Sequence, residues 1–261
     1  MATIRAEALG IRFLFDHQQR VMTTLRARLA RSATETWGLR GADLEIGPGE
    51  GVALIGPTGS GKTTLLRAIA GVLPADEGSI EVTGRVAGLL SPDAGTIGTL
   101  TGRENAMLLA VLAGLSRSEA RGRMEAIREG SGLGDAFGRP VSSYSQGMLA
   151  RLSFTAAMQG QPAILALDEV HEAFDHSFRA LLERTARELR AAGGIVVAAG
   201  HDHEVLSGVC GRALLLDHGR VRADGPFDEV RRRYLDQETR AATAPSPGGD
   251  GELAGLPGRS S

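Results

Sequence analysis

The sequence predicts an α/β fold with a mostly parallel core sheet, and three observations support this prediction. The apolar run Gly51 to Ile55 leads into a glycine-rich loop that is followed by a helical pattern. Two further runs, Ala163 to Leu167 and Ile195 to Ala199, are apolar at every position, which is typical of strands buried on both faces. Helical patterns separate these runs, and strands that alternate with helices imply right-handed crossovers between parallel strands.

The composition is that of a globular protein. The chain has 261 residues, 42% of them hydrophobic, which leaves room for one large or two small domains with a sizeable core. The formal net charge of −2 excludes a global positive field that would attract nucleic acid or anionic lipid. Cys210 is the single cysteine, which excludes an internal disulfide and fits a reducing compartment. We expect neither a membrane span nor an N-terminal signal peptide.

The N-terminal part is predicted to form a β subdomain. Ile4 to Phe15 has the pattern of a first strand, and Trp37 to Gly51 that of a strand ending in a Gly-Pro-Gly-Glu turn. Between them, Asp16 to Arg31 is predicted to be an amphipathic helix with a basic polar side. This helix could rest at a membrane surface or a partner, or it could pack on its own domain with solvated arginines.

The middle of the chain changes from strand to helix patterns. Ser79 to Val82 and Arg85 to Leu90 predict a hairpin-like β region. From Thr101 the apolar period becomes helical, and Ser116 with Glu119 forms a capping-box pattern that begins a second helix. A further helix follows Ser145. These patterns predict an inserted helical subdomain over about residues 101–160.

The C-terminal third continues the alternation. A helix is predicted over Ser177 to Ala192, and the apolar run Ala213 to Leu216 predicts a strand that ends in the turn Asp217 to Arg220. Residues 237–261 are rich in Gly, Pro, Ser and Ala, and we expect this tail to be disordered.

The glycine-rich loop is a phosphate-binding motif. Gly56 to Thr63 matches the template G-x-x-x-x-G-K-[ST]. Glycines allow the backbone to approach a ligand closely, and backbone N–H groups at the start of the following helix face the phosphates. Lys62 would offset the charge of the β- and γ-phosphates, and the Thr63 hydroxyl would bind Mg²⁺. The predicted nucleotide contacts are Gly56, Pro57, Thr58, Gly59, Ser60, Gly61, Lys62, Thr63 and Thr64.

Three polar residues follow the other two buried runs. Asp168 and Glu169 lie at the carboxyl end of one predicted strand, where ligands bind in parallel α/β sheets. Asp168 could hold Mg²⁺ through water, and Glu169 could accept a proton from the attacking water; the alternative is an acidic strand end that caps a neighbouring helix. His201 follows the other strand and could hydrogen-bond a γ-phosphate or position water, although a lone histidine is often an ordinary surface or core residue.

The order of these motifs resembles that of the nucleotide-binding subunits of ABC transporters. The resemblance rests on Gly56 to Thr63, Ser145 to Met148, Ile164 to Glu169, Asp175, and Gly200-His201-Asp202. It extends to the branch that exports polysaccharides and related polymers, including the O-antigen, capsule and teichoic-acid exporters, through Trp37 to Gly41, Leu100 to Asn105, and Tyr144 to Met148. It covers about Ile4 to Leu235, nearly everything except the tail.

The resemblance implies a P-loop NTPase fold of the ABC ATPase type, with an ATPase domain over residues 1–236. In that family two subunits bind two ATP molecules head to tail, so Ser145 and the Gly147 amide would donate to the γ-phosphate held by the other subunit. Phe13 would stack on adenine, and Asp175 would lie in the loop between subunits. Asp168 would serve Mg²⁺, Glu169 would be the general base, and His201 would be the switch histidine; with Lys62 the last two are the predicted catalytic residues.

The implied partners are a second copy of the chain and an integral membrane permease, with no nucleic acid. ATP and Mg²⁺ are the implied cofactors. The resemblance places the protein peripherally at the cytoplasmic face of the plasma membrane, and it favours a position for the basic helix Asp16 to Arg31 near the membrane beside the channel. The residues after Leu235 are too few to form the carbohydrate-binding domain that some relatives append, so we expect no cargo recognition by this subunit alone.

Two positions depart from the family pattern. Ser91 stands where the family carries Gln, or in this branch often Glu, in the loop that senses the γ-phosphate and couples to the membrane subunit. A serine hydroxyl is shorter, so direct metal ligation at this position and the strength of coupling are both in question. Gln146 stands where this branch usually has a small residue, and its long amide could hydrogen-bond ribose or the facing loop.

Two functions from different classes remain at this point. The first is an ATPase that powers a polymer exporter, which the intact Lys62, Asp168, Glu169 and His201 favour. The second is an ATP-dependent dimerisation switch with little turnover that gates or regulates a membrane partner, which Ser91 would favour. A soluble ABC ATPase acting on DNA or ribosomes would be expected to show a long coiled-coil insert, tandem ATPase domains or a basic surface, and the sequence has none of these patterns.

Overall fold

The structure, a computed structural model, describes residues 1–15, 34–169 and 173–243. The predicted basic helix, Asp16 to Arg31, lies outside the described residues. Within the described ranges, no helix has both the length and the apolar character needed to cross a bilayer.

A three-stranded antiparallel sheet forms from the N-terminal part of the chain. Its strands are β1 (Thr3–Phe15), β2 (Thr34–Ile46) and β4 (Glu77–Thr83), in the order β2-β1-β4. This confirms the predicted first strand and the antiparallel β subdomain. Ala8 has a positive φ of 47°, and the pairing of β1 shifts register on both sides of it, which is how a bulged strand bends over the core.

The second sheet forms the core of the molecule, and within the described residues it has six strands in the order β5-β6-β7-β3-β8-β9. Neighbouring strands of this sheet run parallel to each other, except that β9 runs antiparallel to β8. The strands are β3 (Gly51–Ile55), β5 (Val86–Leu89), β6 (Ile164–Asp168), β7 (Ile195–Ala199), β8 (Arg212–Asp217) and β9 (Arg220–Pro226). The prediction of a mostly parallel core sheet is therefore confirmed.

The predicted hairpin-like region at 79–90 is wrong, because its two strands lie in different sheets. β4 pairs with β1, with Glu81 opposite Arg5, whereas β5 pairs in parallel with β6, with Val86 opposite Ile164. Gly84 between them has a φ of 114°, a conformation that glycine adopts without strain. The chain crosses there from one sheet to the other.

Alternate residues of the core strands pack into two separate clusters. Val52 and Leu54 of β3 face the antiparallel sheet, whereas Ala53 and Ile55 face the helices on the other side. All five residues of β3 are buried, and so are all five of β6 and of β7. Strands covered on both faces need apolar residues at every position, which explains the continuous runs in the sequence.

The helices as far as Ala191 follow the predicted pattern, whereas the last helix, Phe227–Thr243, lies where no helix is predicted. They are α1 (Lys62–Ile69), α2 (Gly102–Leu112), α3 (Arg117–Gly122), α4 (Met124–Ser131), α5 (Gln146–Met158), α6 (His176–Ala191), α7 (His203–Val209) and α8 (Phe227–Thr243). Helices α2 to α5 surround a cluster of their own that includes Ala110, Ile127 and Leu152. The predicted capping box between Ser116 and Glu119 is present at the start of α3. The inserted region is thus a helical unit with its own core.

The prediction of a disordered tail from residue 237 is wrong for its first seven residues, which belong to α8. The segment Gln-Glu-Thr-Arg-Ala-Ala lacks Gly and Pro and contains several good helix formers. Tyr234 Oη donates to Glu238 Oε1 at 2.5 Å, and Thr239 Oγ1 donates to the Leu235 carbonyl at 2.9 Å. The domain boundary predicted at residue 236 therefore falls inside a helix, and residues 244–261 lie outside the described residues.

Arg212 at the start of β8 connects three parts of the fold. Its guanidinium donates two hydrogen bonds of 2.6 Å to Asp224 on β9 and two of 2.9 and 3.1 Å to Glu50, and one to the Glu45 carbonyl of β2 at 3.0 Å. These bonds, those to Asp224 most of all, raise the pKa of Arg212 above its already high value. The arginine thus joins the antiparallel sheet to the edge of the core sheet.

We expect Arg212→Met to lower the free energy of unfolding by about 1–3 kcal/mol. The substitution leaves Glu50 and Asp224 without the cation that they share. Because the arginine side chain is 26% exposed, the expected cost lies between the free energies typical of exposed and of buried ion pairs. Urea unfolding followed by circular dichroism measures the change. Arg5→Met is the control, because its ion pair with Glu7 is more than half exposed on both sides and should contribute less than about 0.5 kcal/mol. Equal losses in the two variants would contradict the connecting role of Arg212.

Candidate functional site: the phosphate loop and the facing strand ends

The phosphate loop connects β3 to α1, as predicted. A helix leaves its first backbone N–H groups without intrahelical partners, and Gly61, the residue that caps α1, has no side chain to accept from them. These N–H groups and the positive end of the helix dipole are therefore available to an anion. Gly56 has a φ of 145°, and a Cβ there would lie 2.1 Å from the Leu216 carbonyl oxygen of β8. Only glycine therefore allows the backbone of the loop to pass this close to β8.

Lys62 lies over the loop that it follows. Its Nζ donates to the carbonyls of Gly56 at 2.6 Å and Pro57 at 3.0 Å. Burial lowers the pKa of Lys62, while the nearby charges of Glu169 and Asp168 oppose this shift. The ammonium group is thus held by weak carbonyl acceptors beside two carboxylates, in a position where phosphate oxygens would be stronger acceptors.

The turn between β8 and β9 supports the phosphate loop from the side. The Gly219 N–H donates to the Ser60 carbonyl at 2.9 Å, and the Arg40 N–H of β2 donates to the Gly219 carbonyl, also at 2.9 Å. The Ser60 hydroxyl is buried and has no hydrogen-bond partner among the described residues. A buried hydroxyl without a partner is rare. Its place inside the loop fits a site at which a bound anion would accept its hydrogen bond.

The predicted magnesium residues are neighbours in the structure. Asp168, the last residue of β6, is 8% exposed and lies beside Thr63 at the start of α1, near enough for the Thr63 hydroxyl to affect its pKa. Burial raises the pKa of Asp168; the Thr63 hydroxyl lowers it, Glu169 raises it further, and Arg67 and Lys62 lower it. Among the residues described here, no three His, Cys, Asp or Glu side chains form a metal cage. Mg²⁺ is usually held by one or two protein oxygens together with substrate phosphates, and these two residues fit that donor set.

Glu169 and His201 face each other across the ends of β6 and β7. The Glu169 N–H donates to the Ala199 carbonyl at 2.9 Å, and Glu169 has a φ of 56°, a strained conformation that is often found at functional sites. His201 Nε2 lies 3.3 Å from Glu169 Oε1, and the two side chains are 59% and 54% exposed. Both groups are therefore open to a ligand or a water molecule.

Most of these residues line one groove of about 280 Å³, whereas the predicted site residues Gly56, Pro57 and Asp168 are not among its lining residues. Its lining residues are Phe13, Thr36, Trp37, Gly38, Thr58, Gly59, Ser60, Gly61, Lys62, Thr63, Thr64, Glu169 and His201. The structure thus brings the loop, the aromatic residue of β1, and the facing strand ends together. Sequence reasoning missed Thr36 as a lining residue and had Trp37 and Gly38 only as part of a resemblance. A Cβ at Gly38 would lie 2.7 Å from Phe13 Cε2 and 2.9 Å from Thr64 Oγ1, so this glycine lets the Phe13 ring lie against the loop.

A family model described as "ABC transporter" matches residues 39–172, which include the phosphate loop and the Asp168–Glu169 strand end. The chain belongs to the ABC transporter family. It is an ABC ATPase, and ATP is its nucleotide. This confirms the predicted resemblance to the ATP-binding subunits of ABC transporters.

Curated relatives and solved structures agree with this assignment. The chain is 36% identical to the O-antigen export system ATP-binding protein RfbB of Klebsiella pneumoniae, over 86% of this chain and 89% of the relative. It is 33% identical to the teichoic acids export ATP-binding protein TagH of Listeria innocua, over 76% of this chain and 59% of the relative. A structure titled as the ATP-binding subunit of an ABC transporter aligns with a TM-score of 0.67 at 23% identity, over 92% of this chain and 99% of that one.

A second solved structure is a dimeric ATP-binding cassette bound to ADP and Pi in a post-hydrolysis state. It aligns with a TM-score of 0.66 at 21% identity, over 86% of this chain and 98% of the other. At this identity the likeness shows the fold, which is that of the ABC ATPase domain. The predicted fold class is therefore confirmed.

In this ABC ATPase the predicted signature residues Ser145 and Gly147 are not among the residues that line the groove. Ser145 caps α5 by accepting from the Met148 N–H at 3.2 Å, and the exposed Gln146 is the first residue of that helix. A Cβ at Gly147 would lie 2.8 Å from the Ala173 carbonyl. The start of α5 thus packs against the chain that leaves β6, on another surface of the same subunit.

Asp175 and Ser91 lie near this region without lining the groove. Asp175 caps α6 by accepting from the Phe178 N–H at 2.9 Å, and it forms an ion pair of 3.6 Å with Arg151 of α5. The Ser91 hydroxyl donates to the Asp93 carboxylate, in the turn after β5. The hydroxyl is therefore engaged within its own turn rather than directed at the phosphate loop.

We expect Gly219→Ala to weaken ATP binding while leaving the fold intact. Gly219 has a φ of 74°, and a Cβ there would lie 3.0 Å from the Gly38 carbonyl and from Leu39 Cα, so the turn that supports Ser60 must shift, at a cost of about 1–3 kcal/mol. Equilibrium titration with a fluorescent ATP analogue measures the change in Kd. Gly211→Ala is the matched control, since a Cβ at Gly211 meets no atom within 4 Å. A Gly219→Ala variant that binds ATP as tightly as the wild type would show that the turn does not support the loop.

Proposed function

We propose that this ABC ATPase powers the export of a cell-surface polysaccharide or a related polymer, through a separate integral membrane permease at the cytoplasmic face of the membrane. The observation that carries the catalytic part is the Glu169–His201 pair at 3.3 Å beside the phosphate loop. The cargo class is supported by the relatives named above, one of which exports O-antigen and another teichoic acids. The length match to the first of them, 89% of that protein, supports carrying over its subunit role.

The chemistry assigns a role to each group of the groove. Backbone N–H groups of the loop and Lys62 bind the β- and γ-phosphates. Thr63 and, through water, Asp168 would hold Mg²⁺, which would supply positive charge next to the phosphates. Glu169 accepts the proton of the water that attacks the γ-phosphorus, and His201 hydrogen-bonds the γ-phosphate. The Phe13 ring lines the groove and can stack on adenine.

The site of one subunit is completed by a second copy of the chain. Ser145 and Gly147, which would donate to a γ-phosphate, lie on the helical subdomain and outside the groove of their own subunit. They can reach a phosphate loop only if that loop belongs to another subunit that binds head to tail. The dimeric state of the ATP-binding cassette with the same fold supports this arrangement.

A second groove, of about 220 Å³, is suited to a helix of the permease. It lies between β5 and the helical subdomain, and its lining includes Leu89, Leu109, Leu112 and Ala157. Leu112 is 66% exposed, and together with the other apolar residues of the groove it forms a contiguous apolar surface of the kind that partners cover. The Ser153 hydroxyl donates to the Pro92 carbonyl at 3.2 Å, so the turn after β5 is tied to this groove. A movement of the helical subdomain would therefore displace a helix that docks in this groove.

The intact groove chemistry and the relatives favour the ATPase over the dimerisation switch. Lys62, Glu169 and His201 line the same groove, and Asp168 lies close enough to Lys62 and Glu169 for their charges to affect its pKa, which supports hydrolysis at this site. The relatives at 33–36% identity are named as subunits of export systems rather than as regulators. Ser91 remains the position that would weaken coupling between the phosphate and the permease.

We expect Glu169→Gln to abolish steady-state ATP hydrolysis, with a loss of roughly 100-fold or more in kcat, because the amide cannot accept the proton of water. The variant should still bind ATP and should accumulate as an ATP-bound dimer. Phosphate release measures the turnover, and size-exclusion chromatography with light scattering measures the dimer. Glu129→Gln, at an exposed position of α4, is the control. A wild type that binds ATP and dimerises yet shows no turnover, even with its permease, would favour the switch function.

We expect Leu112→Glu to abolish stimulation of the ATPase by the permease while basal hydrolysis stays unchanged. A buried charge in the centre of an apolar contact should weaken docking by roughly tenfold or more. The measurement is ATP hydrolysis with and without the permease in nanodiscs. Val72→Glu is the matched control, because Val72 is 60% exposed and is not among the residues that line this groove. Full stimulation of the Leu112→Glu variant would place the permease elsewhere.

A further inference from the structure

Arg179 in the first turns of α6 contacts both chain segments that leave the catalytic strand ends. Its Nε donates to the Phe174 carbonyl at 3.1 Å, on the segment that follows Glu169. Its Nη1 donates to Asp202 Oδ2 at 3.0 Å, on the segment that follows β7. Asp202 is the residue next to His201. One planar guanidinium therefore spans the two segments that carry the Glu169–His201 pair.

Each end of this connection is anchored. Phe174 is buried, and its ring packs against Phe178 and Phe154 with ring centroids 4.7 and 5.9 Å apart. Asp202 uses its other oxygen, Oδ1, to cap α7 by accepting from the N–H groups of Glu204 and Val205 at 3.2 Å. The guanidinium thus links an aromatic core on one side to the start of a helix on the other.

Such a link matters because Glu169 and His201 are themselves exposed. The sheet fixes the chain as far as Asp168 and Ala199, which pair directly across β6 and β7. Glu169 is held one residue further by the bond of its N–H to the Ala199 carbonyl at 2.9 Å. His201 lies two residues beyond the last paired residue of β7, and its side chain is more than half exposed, so its position relative to Glu169 depends in part on the segment that contains Asp202. Arg179 and Asp202 are about one-third exposed, which is the burial expected of an interaction just below the surface of a site.

We propose that Arg179 is a positioning residue for ATP hydrolysis, which holds His201 at its distance from Glu169 by joining Asp202 to the Phe174 carbonyl. This inference rests on the roles proposed above for Glu169 and His201. An arginine suits the task because its rigid fork can donate in two directions at once, whereas a lysine places its donors at a single point. Asp202 suits it because one carboxylate oxygen caps the helix while the other accepts from the arginine.

The test compares Arg179→Met, Asp202→Asn and the double variant. Methionine keeps much of the aliphatic stem but has no donor, and asparagine is as good a helix cap as aspartate while it removes the charge. We expect each single variant to lose about 10- to 100-fold in kcat, the range for a small misplacement of reacting groups, with the Kd for ATP changed less than about twofold. The double variant should lose no more than the more damaged single variant, because the two residues act as one unit. Arg179→Lys should recover part of the rate.

Arg184→Met is the matched control, since Arg184 is an exposed arginine on the same helix, and its kcat and melting temperature should equal those of the wild type. Additive losses in the double variant, or equal falls in ATP affinity and kcat, would mean that Arg179 has only a structural role. A Glu169→Gln/Arg179→Met variant should still form the ATP-bound dimer. Failure to do so would assign Arg179 to subunit association and overturn the proposal.

Hydrogen–deuterium exchange separates this inference from the proposed function. In Arg179→Met the backbone amides of residues 203–206 should exchange faster than in the wild type, whether or not the protein turns over ATP. Faster exchange in a protein whose wild type shows no turnover would support the link while the proposed function fails. Unchanged exchange and unchanged kcat, in a protein whose Glu169→Gln variant is inactive, would overturn the link and leave the proposed function standing.

Discussion

The parallel pairing of β6 with β7 and of β7 with β3 is the constraint on which the site depends. This pairing sets Asp168 opposite Ala199 and Leu54 opposite the same Ala199, so the three strands end side by side. The phosphate loop, the carboxylates and His201 therefore emerge at one edge of the sheet. Two apolar clusters cover the faces of these strands, and any slip in their register would separate the groups of the groove.

Much of this arrangement could be predicted from the sequence, because its signals are local. The run Gly51 to Ile55 and the motif after it define a strand, a loop and the start of a helix within fourteen residues, and the strand-end positions of Asp168 and His201 follow from the apolar runs before them.

What could not be predicted depends on contacts between distant residues. Gly219 supports Ser60, and Arg212 joins Glu50 to Asp224, yet nothing in the sequence near either residue indicates its partner. The error at residues 79–90 has the same origin, because the preference of β4 and β5 for different sheets is set by their partners, β1 and β6. The error at residues 237–243 is different, since the helix formers there are a local signal.

The electrostatics of the groove support the proposal that the nucleotide and Mg²⁺ bind together. Burial lowers the pKa of Lys62 and raises the pKa of Asp168, so each charge is costly in its own position and is supported by the other. A triphosphate alone would stabilise Lys62 but would bring negative charge beside Asp168 and Glu169. Mg²⁺ alone would relieve the carboxylates but would repel Lys62. Only the two together add charges of opposite sign next to the groups that need them, and this balance favours the Mg²⁺ complex of ATP as the species that the groove accepts.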